Sequence, residues 1–239
     1  MSSAPSQAAH DELPVLLAWD LHIAASGTLP SVNIDFRLFP GELHLVHSRR
    51  KDRSSAIADA LLGLSDPGRG AVSYLDRDWR ELDAEESFAL RRSVGRVQSQ
   101  GNWMETRTVM ENLLLPSRHN SVIPDQLLRE RASNLAQRFG LPGLPLQLPS
   151  ECAPADLESA ACVRAFLGRP TLVILEHPME FQDSALLLPM IDALQQVRRR
   201  GGSVIWFSEH TSLVTEPSIP ADHRYRIVGG RLLPLRPAQ

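Results

Sequence analysis

Between residues 48 and 55 the chain reads SRRKDRSS, which puts four cations and three hydroxyls in one short polar segment: Ser48, Arg49, Arg50, Lys51, Asp52, Arg53, Ser54 and Ser55. Cations at this density attract phosphate, and they also suit a solvated surface loop or a contact to an acidic partner, the plainer account. Two carboxylate and imidazole pairs follow, Glu176-His177 directly after the apolar run Leu172 to Leu175 and Glu209-His210 just after Val204 to Phe207. Such pairs can ligate a metal, but histidines satisfied at a surface or strand boundary account for them more simply, and no metal is assigned. Cys152 and Cys162 are too few for a disulfide framework and lack a zinc-type histidine pattern, so they read as buried, inert thiols in a reducing cytosol.

Alternating and 3.6-period patterns supply the elements that would hold these groups. Val32, Ile34, Phe36 and Leu38 alternate with polar residues as a half-buried strand, Pro40-Gly41-Glu42 turns, and Leu43 to Val46 forms a second strand that feeds the 48–55 loop. Ile57, Ala60, Leu61 and Leu64 then line one face of a helix over 56–64. A strand around 72–75, a helix over 82–92 and a strand over 94–97 come next. Residues 105–169 read as mostly helical, broken at Pro116, at Pro124 and across GLPGLPLQLPSE (140–151). The apolar strands 172–175 and 204–207 flank a helix of Leu187, Met190, Ile191, Leu194 and Val197, and 225–232 closes as a hairpin on Gly229-Gly230. Strands alternating with helices define an α/β chain.

A formal charge of -3 from 25 basic and 28 acidic residues provides no basic field, which argues against a nucleic-acid partner. Residues 1–12 are small and polar, a flexible tail by composition with neither a basic n-region nor an apolar h-region. No stretch approaches the roughly 20 apolar residues that span a bilayer. Work at a membrane would therefore require another subunit to hold the chain there.

The order of these pieces resembles the nucleotide-binding domain of ABC transporters over about residues 14–235. The likeness is carried by PGE (40–42), LLGL (61–64), DPGRGAVSYLDRDW (66–79), RRSVG (91–95), TVMENLLLP (108–116), LPSE (148–151), ACVRAFLGRPTLVILEHP (161–178) and RIVGGRL (226–232). The LPSE segment and the FQD at 181–183 look closest to the ATPase subunit of Mla-type intermembrane lipid transport. The resemblance implies an ABC-ATPase-type P-loop fold: a RecA-like core with an antiparallel β subdomain from 13–104 and 170–239, and an inserted α-helical subdomain at 105–169. It also implies a membrane permease as partner, a homodimer or a heterodimer with another ABC ATPase, and a peripheral position on the cytoplasmic face of the inner membrane.

The same resemblance places the family's chemistry on residues that do not suit it. A phosphate-binding P-loop needs glycines whose backbone N–H groups wrap the phosphates, a lysine on the β- and γ-phosphates and a hydroxyl on magnesium. An ungapped count puts Arg53 at the last glycine, Ser54 at the lysine and Ser55 at the hydroxyl, and no glycine lies between Gly41 and Gly63. Glu176 and His177 stand where the family has Asp then Glu. Ala153, Pro154, Ala155 and Asp156 stand over the signature helix start, Ser99 at the Q-loop glutamine between Gln98 and Gln100, Glu209 at the switch histidine, and Ala25 at the base-stacking aromatic. Losing three charge-assisted contacts at roughly 1.5–3 kcal/mol each removes about as much as the ~8 kcal/mol that a micromolar site supplies. The expectation is a degenerate pseudo-ATPase subunit with no ATP or magnesium cofactor. The alternative is a weakly active, ATP-binding subunit that uses Ser55, Glu176 and His177 in an unorthodox site. Trp103 and Met104 fall on the surface by which the family grips its membrane subunit, with core packing the competing account.

Overall fold

The structure, a computed structural model, describes residues 13–99, 101–120, 123–178 and 185–235. The tail 1–12, Gln100 and the FQD segment lie outside the described residues. In chain order the strands are β1 (Leu16–Ile23), β2 (Val32–Leu38), β3 (Leu43–His47), β4 (Arg69–Tyr74), β5 (Arg77–Asp78), β6 (Val94–Val97), β7 (Leu172–Glu176), β8 (Ser203–Ser208), β9 (His223–Val228) and β10 (Arg231–Pro234). The helices are α1 (Lys51–Leu61), α2 (Ala84–Arg91), α3 (Val109–Asn120), α4 (Asp125–Arg138), α5 (Pro154–Leu167), α6 (Leu187–Arg198) and the short α7 (Thr211–Thr215).

All ten strands join one sheet in the order β5-β4-β1-β2-β10-β9-β3-β8-β7-β6. β9, β3, β8, β7 and β6 run parallel, β5, β4, β1 and β2 antiparallel, and the β9–β10 hairpin joins the two parts. This is the ABC-ATPase-type P-loop fold, with α3, α4 and α5 lying between β6 and β7 in the chain.

Alternation along the central strands sorts side chains into two cores. On β7, Val173 and Leu175 face a cluster built with α3–α6, whereas Leu172 and Ile174 face α1 and the antiparallel strands. Two-residue periodicity then carries Glu176 to the α1 side of the sheet. On β6, Val97 joins the first cluster and Val94 packs on the second, which carries Arg96 to the same side as Glu176. Gly95 lies between them because a Cβ there would stand 2.2 Å from the Ala165 carbonyl oxygen on α5.

Two sequence expectations fail here for identifiable reasons. Helix α1 starts at Lys51, not at 56, so most of the expected loop is helical. With no glycine to supply left-handed backbone, the chain enters helical geometry three residues after Ser48, and Asp52 in the first turn complements the helix dipole. Helix α3 likewise runs through Pro116, where a break was expected. The proline costs about 3 kcal/mol in a helix interior, and complete burial of Val109, Leu113 and Leu114 offsets it.

Candidate functional site

The segment at 48–55 does bridge the central strand β3 to a helix, but Ser48, Arg50, Arg53, Ser54 and Ser55 direct their side chains to other groups of the protein. The Ser48 amide donates to the Ser208 carbonyl at 2.9 Å, and the Ser54 amide donates to the Arg50 carbonyl at 3.2 Å as part of α1. The four cations, expected to share one loop, diverge. Arg50 pairs with Asp52 at 2.9 Å and reaches Thr28, Arg53 turns inward to the Pro30 carbonyl at 2.9 Å, Arg49 is exposed, and Lys51 lines a cleft beside Glu176. Burial, then the charge of Arg50, lowers the Arg53 pKa from its ordinary value.

At the C-terminal end of β7 two contacts join the positions assigned to phosphate and water chemistry. Ser54 Oγ and His177 Nε2 share a buried hydrogen bond of 2.8 Å, and Ser55 Oγ donates to Glu176 Oε2 at 2.5 Å. His177 adopts a left-handed backbone with φ 51, and its amide donates to the Phe207 carbonyl at 3.0 Å. This conformation is sparsely populated for a side-chain-bearing residue, though histidine tolerates it better than most. His177 is therefore a buried residue at 5% exposure, where a surface or boundary histidine was expected. His210 is exposed, and the Glu209 carbonyl accepts from the His47 ring at 3.1 Å.

Sequence reasoning missed Arg96. Its Nε donates to Glu176 Oε1 at 2.5 Å and its Nη1 to Asp59 Oδ1 at 2.6 Å, so one guanidinium bridges β7 and α1. Burial alone would lower the arginine's pKa, but the hydrogen bond and charge of Glu176, then those of Asp59, raise it above the ordinary value. Glu176 itself is fully buried. The signal was available: an arginine between valines inside a short strand packed under helices, where a charged side chain is almost never enclosed without a partner.

Of the remaining assigned positions, Ser99 and Pro154 line a cleft of about 420 Å³ together with Lys51, Trp103, Glu176 and His177, among others. Helix α5 starts beside it, with Ala153 as N-cap making no side-chain cap, Pro154 lacking an N–H, Ala155 next, and Asp156 adding negative charge in the first turn. Cys152 is only half-buried, which corrects the expectation of two buried thiols. Burial, then the carboxylates of Asp156 and Glu151, push its thiol up. Trp103 packs against the core with the Arg164 guanidinium 4.5 Å from its ring, whereas Met104 is exposed and Ala25 stands open on the surface.

Comparison with known proteins agrees with this geometry on the fold. No protein-family model matches the chain. It is 28% identical over 210 residues to the nickel import ATP-binding protein NikE of Pseudomonas putida, covering 85% of this chain and 75% of that protein. It is 25% identical over 202 residues to the lipoprotein-releasing system ATP-binding protein LolD 1 of Rhodopirellula baltica, covering 84% and 86%. Among solved structures, the dimeric MJ0796 bacterial ABC transporter cassette superposes with a TM-score of 0.79 at 17% identity, over 91% of this chain and 96% of that one. In sequence the chain is similar to ABC-transporter ATP-binding proteins, and it shares the fold of their cassettes. No helix among the described residues is long and apolar enough to cross a membrane.

Proposed function

We propose that this chain is a catalytically degenerate ABC-transporter subunit, a pseudo-ATPase whose work is architectural. It docks on a membrane permease at the cytoplasmic face of the inner membrane and pairs either with its own copy or with an active ABC ATPase. Lipid is the cargo class taken here, on the LPSE likeness at 148–151. The observation that carries this reading is the ion pair of Arg96 with Glu176 at 2.5 Å. A magnesium ion approaching that carboxylate would have to displace a bonded guanidinium and then leave two like charges in a buried space. The hydroxyl that would share the metal, Ser55, is bonded to the same carboxylate.

Pairing and docking are supported by the relatives, whose names describe import and releasing systems, and by the dimeric assembly of the MJ0796 cassette. Calorimetric titration of ATP·Mg into the purified chain, and turnover assays with and without its permease, test the reading. Expected are no binding tighter than about 100 µM, no turnover, and transport that tolerates Glu176→Gln and Ser55→Ala but fails when the chain is deleted. Micromolar affinity with turnover abolished by Glu176→Gln would establish the weakly active alternative instead.

A further inference from the structure

Away from the cleft, three potential ligands converge where β3 meets β9. Glu42 immediately precedes β3, and His44 lies two residues on, hence on the same face. His223 opens β9 and stands directly opposite His44 in the parallel register. Glu42 Oε2 lies 3.0 Å from His44 Nε2, Glu42 Oε1 lies 3.6 Å from His223 Nε2, and one ligand atom from each residue falls within 4.8 Å of the others. Ligand atoms on a tetrahedral ion with bonds of about 2.0–2.1 Å stand about 3.3 Å apart, so small side-chain rotations bring this set to bonding geometry.

We propose that Glu42, His44 and His223 form a site for a single borderline divalent cation of the zinc type, with the fourth position open to water. Two imidazoles and one carboxylate favour zinc over the oxygen-seeking magnesium or calcium. The site is held in place: Glu42 Oε2 accepts the Phe39 amide at 2.8 Å, and the His44 ring lies edge-on to Phe36 with centroids 5.1 Å apart. His44 is 1% exposed, and an imidazole enclosed there carries a desolvation cost that an aliphatic side chain would avoid. His223, half exposed, gives the ion a route from solvent. A bound ion would clamp the C-terminal hairpin to the central strand, away from the nucleotide cleft and independently of whether ATP binds.

Protein stripped with a chelator and titrated calorimetrically with Zn²⁺ tests the proposal. One ion per chain should bind with a Kd of about 1 µM or tighter, and Co²⁺ in its place should give the visible bands of a four-coordinate ion. His223→Ala and Glu42→Gln should each weaken binding about tenfold or more, whereas His210→Ala and Cys152→Ala should leave it unchanged. His223→Ala alters a partly exposed side chain, and its unchanged metal-free thermal midpoint would certify folding. Absence of stoichiometric binding, or a folded His223→Ala chain that binds Zn²⁺ as tightly as the parent, overturns the proposal.

Discussion

Ser54 and His177 are joined by a buried 2.8 Å hydrogen bond between positions where the fold's relatives would be expected to hold a lysine and a glutamate. The contact ties the first turn of α1 directly to the end of β7. Returning one residue to the family's type should therefore not return its chemistry. Ser54→Lys is expected to lower stability by about 2 kcal/mol, because a long cation would enter a site with 0% exposure. ATP·Mg affinity should remain weaker than about 100 µM. Denaturant melts and calorimetry on the same preparation check both outcomes.

The Arg96 and Glu176 pair should behave as one unit. Arg96→Met leaves a fully buried carboxylate without its cation and is expected to cost about 3–5 kcal/mol. Combining it with Glu176→Gln should recover most of that loss. A double-mutant cycle measured by urea unfolding reads the coupling; additive effects would mean that the two side chains do not depend on each other.

Gly95→Ala should destabilise by about 1–3 kcal/mol, because the new methyl meets the Ala165 carbonyl and must push α5 away from β6. Gly143→Ala, whose Cβ would meet nothing within 4 Å, is the matched control and should stay within about 0.5 kcal/mol of the parent in thermal unfolding.

Asp125 bridges Arg118 of α3 and Arg129 of α4 at 2.7 Å each, and hydrogen bonds from the two guanidiniums depress its carboxyl to about 2. A depressed carboxylate adds stability that is present above its unfolded pKa of about 3.9 and lost as pH falls through the folded value. The α3–α4 clip should therefore loosen between about pH 4 and pH 2. Carboxyl NMR should place the Asp125 midpoint near 2, and Asp125→Asn should remove that titration while leaving neutral-pH activity in transport unchanged.

Much of this arrangement was legible because it rests on local periodicity. Strands 32–38 and 94–97 coincide with β2 and β6, since alternation in the first and β-branched valines at both ends of the second leave few other solutions. The start of α1 was not legible: a polar run such as Lys51 to Ser55 looks the same as loop or as the solvent-facing first turn of a helix. The burial of His177 and the guanidinium bridge at Arg96 depend on partners 37 or more residues away, and no local pattern encodes which partner is met. Pro116 misled for the opposite reason, because its strong local preference is overridden by what Leu113 and Leu114 gain from burial.

With α1 already wound back to Lys51 and its hydroxyls tied to the end of β7, the subunit proposed above would be complete without a guest. Its posture would not follow a fuel cycle. Any movement it undergoes in an assembly would be imposed by its neighbours, so it would act as the fixed bearing against which a moving partner turns.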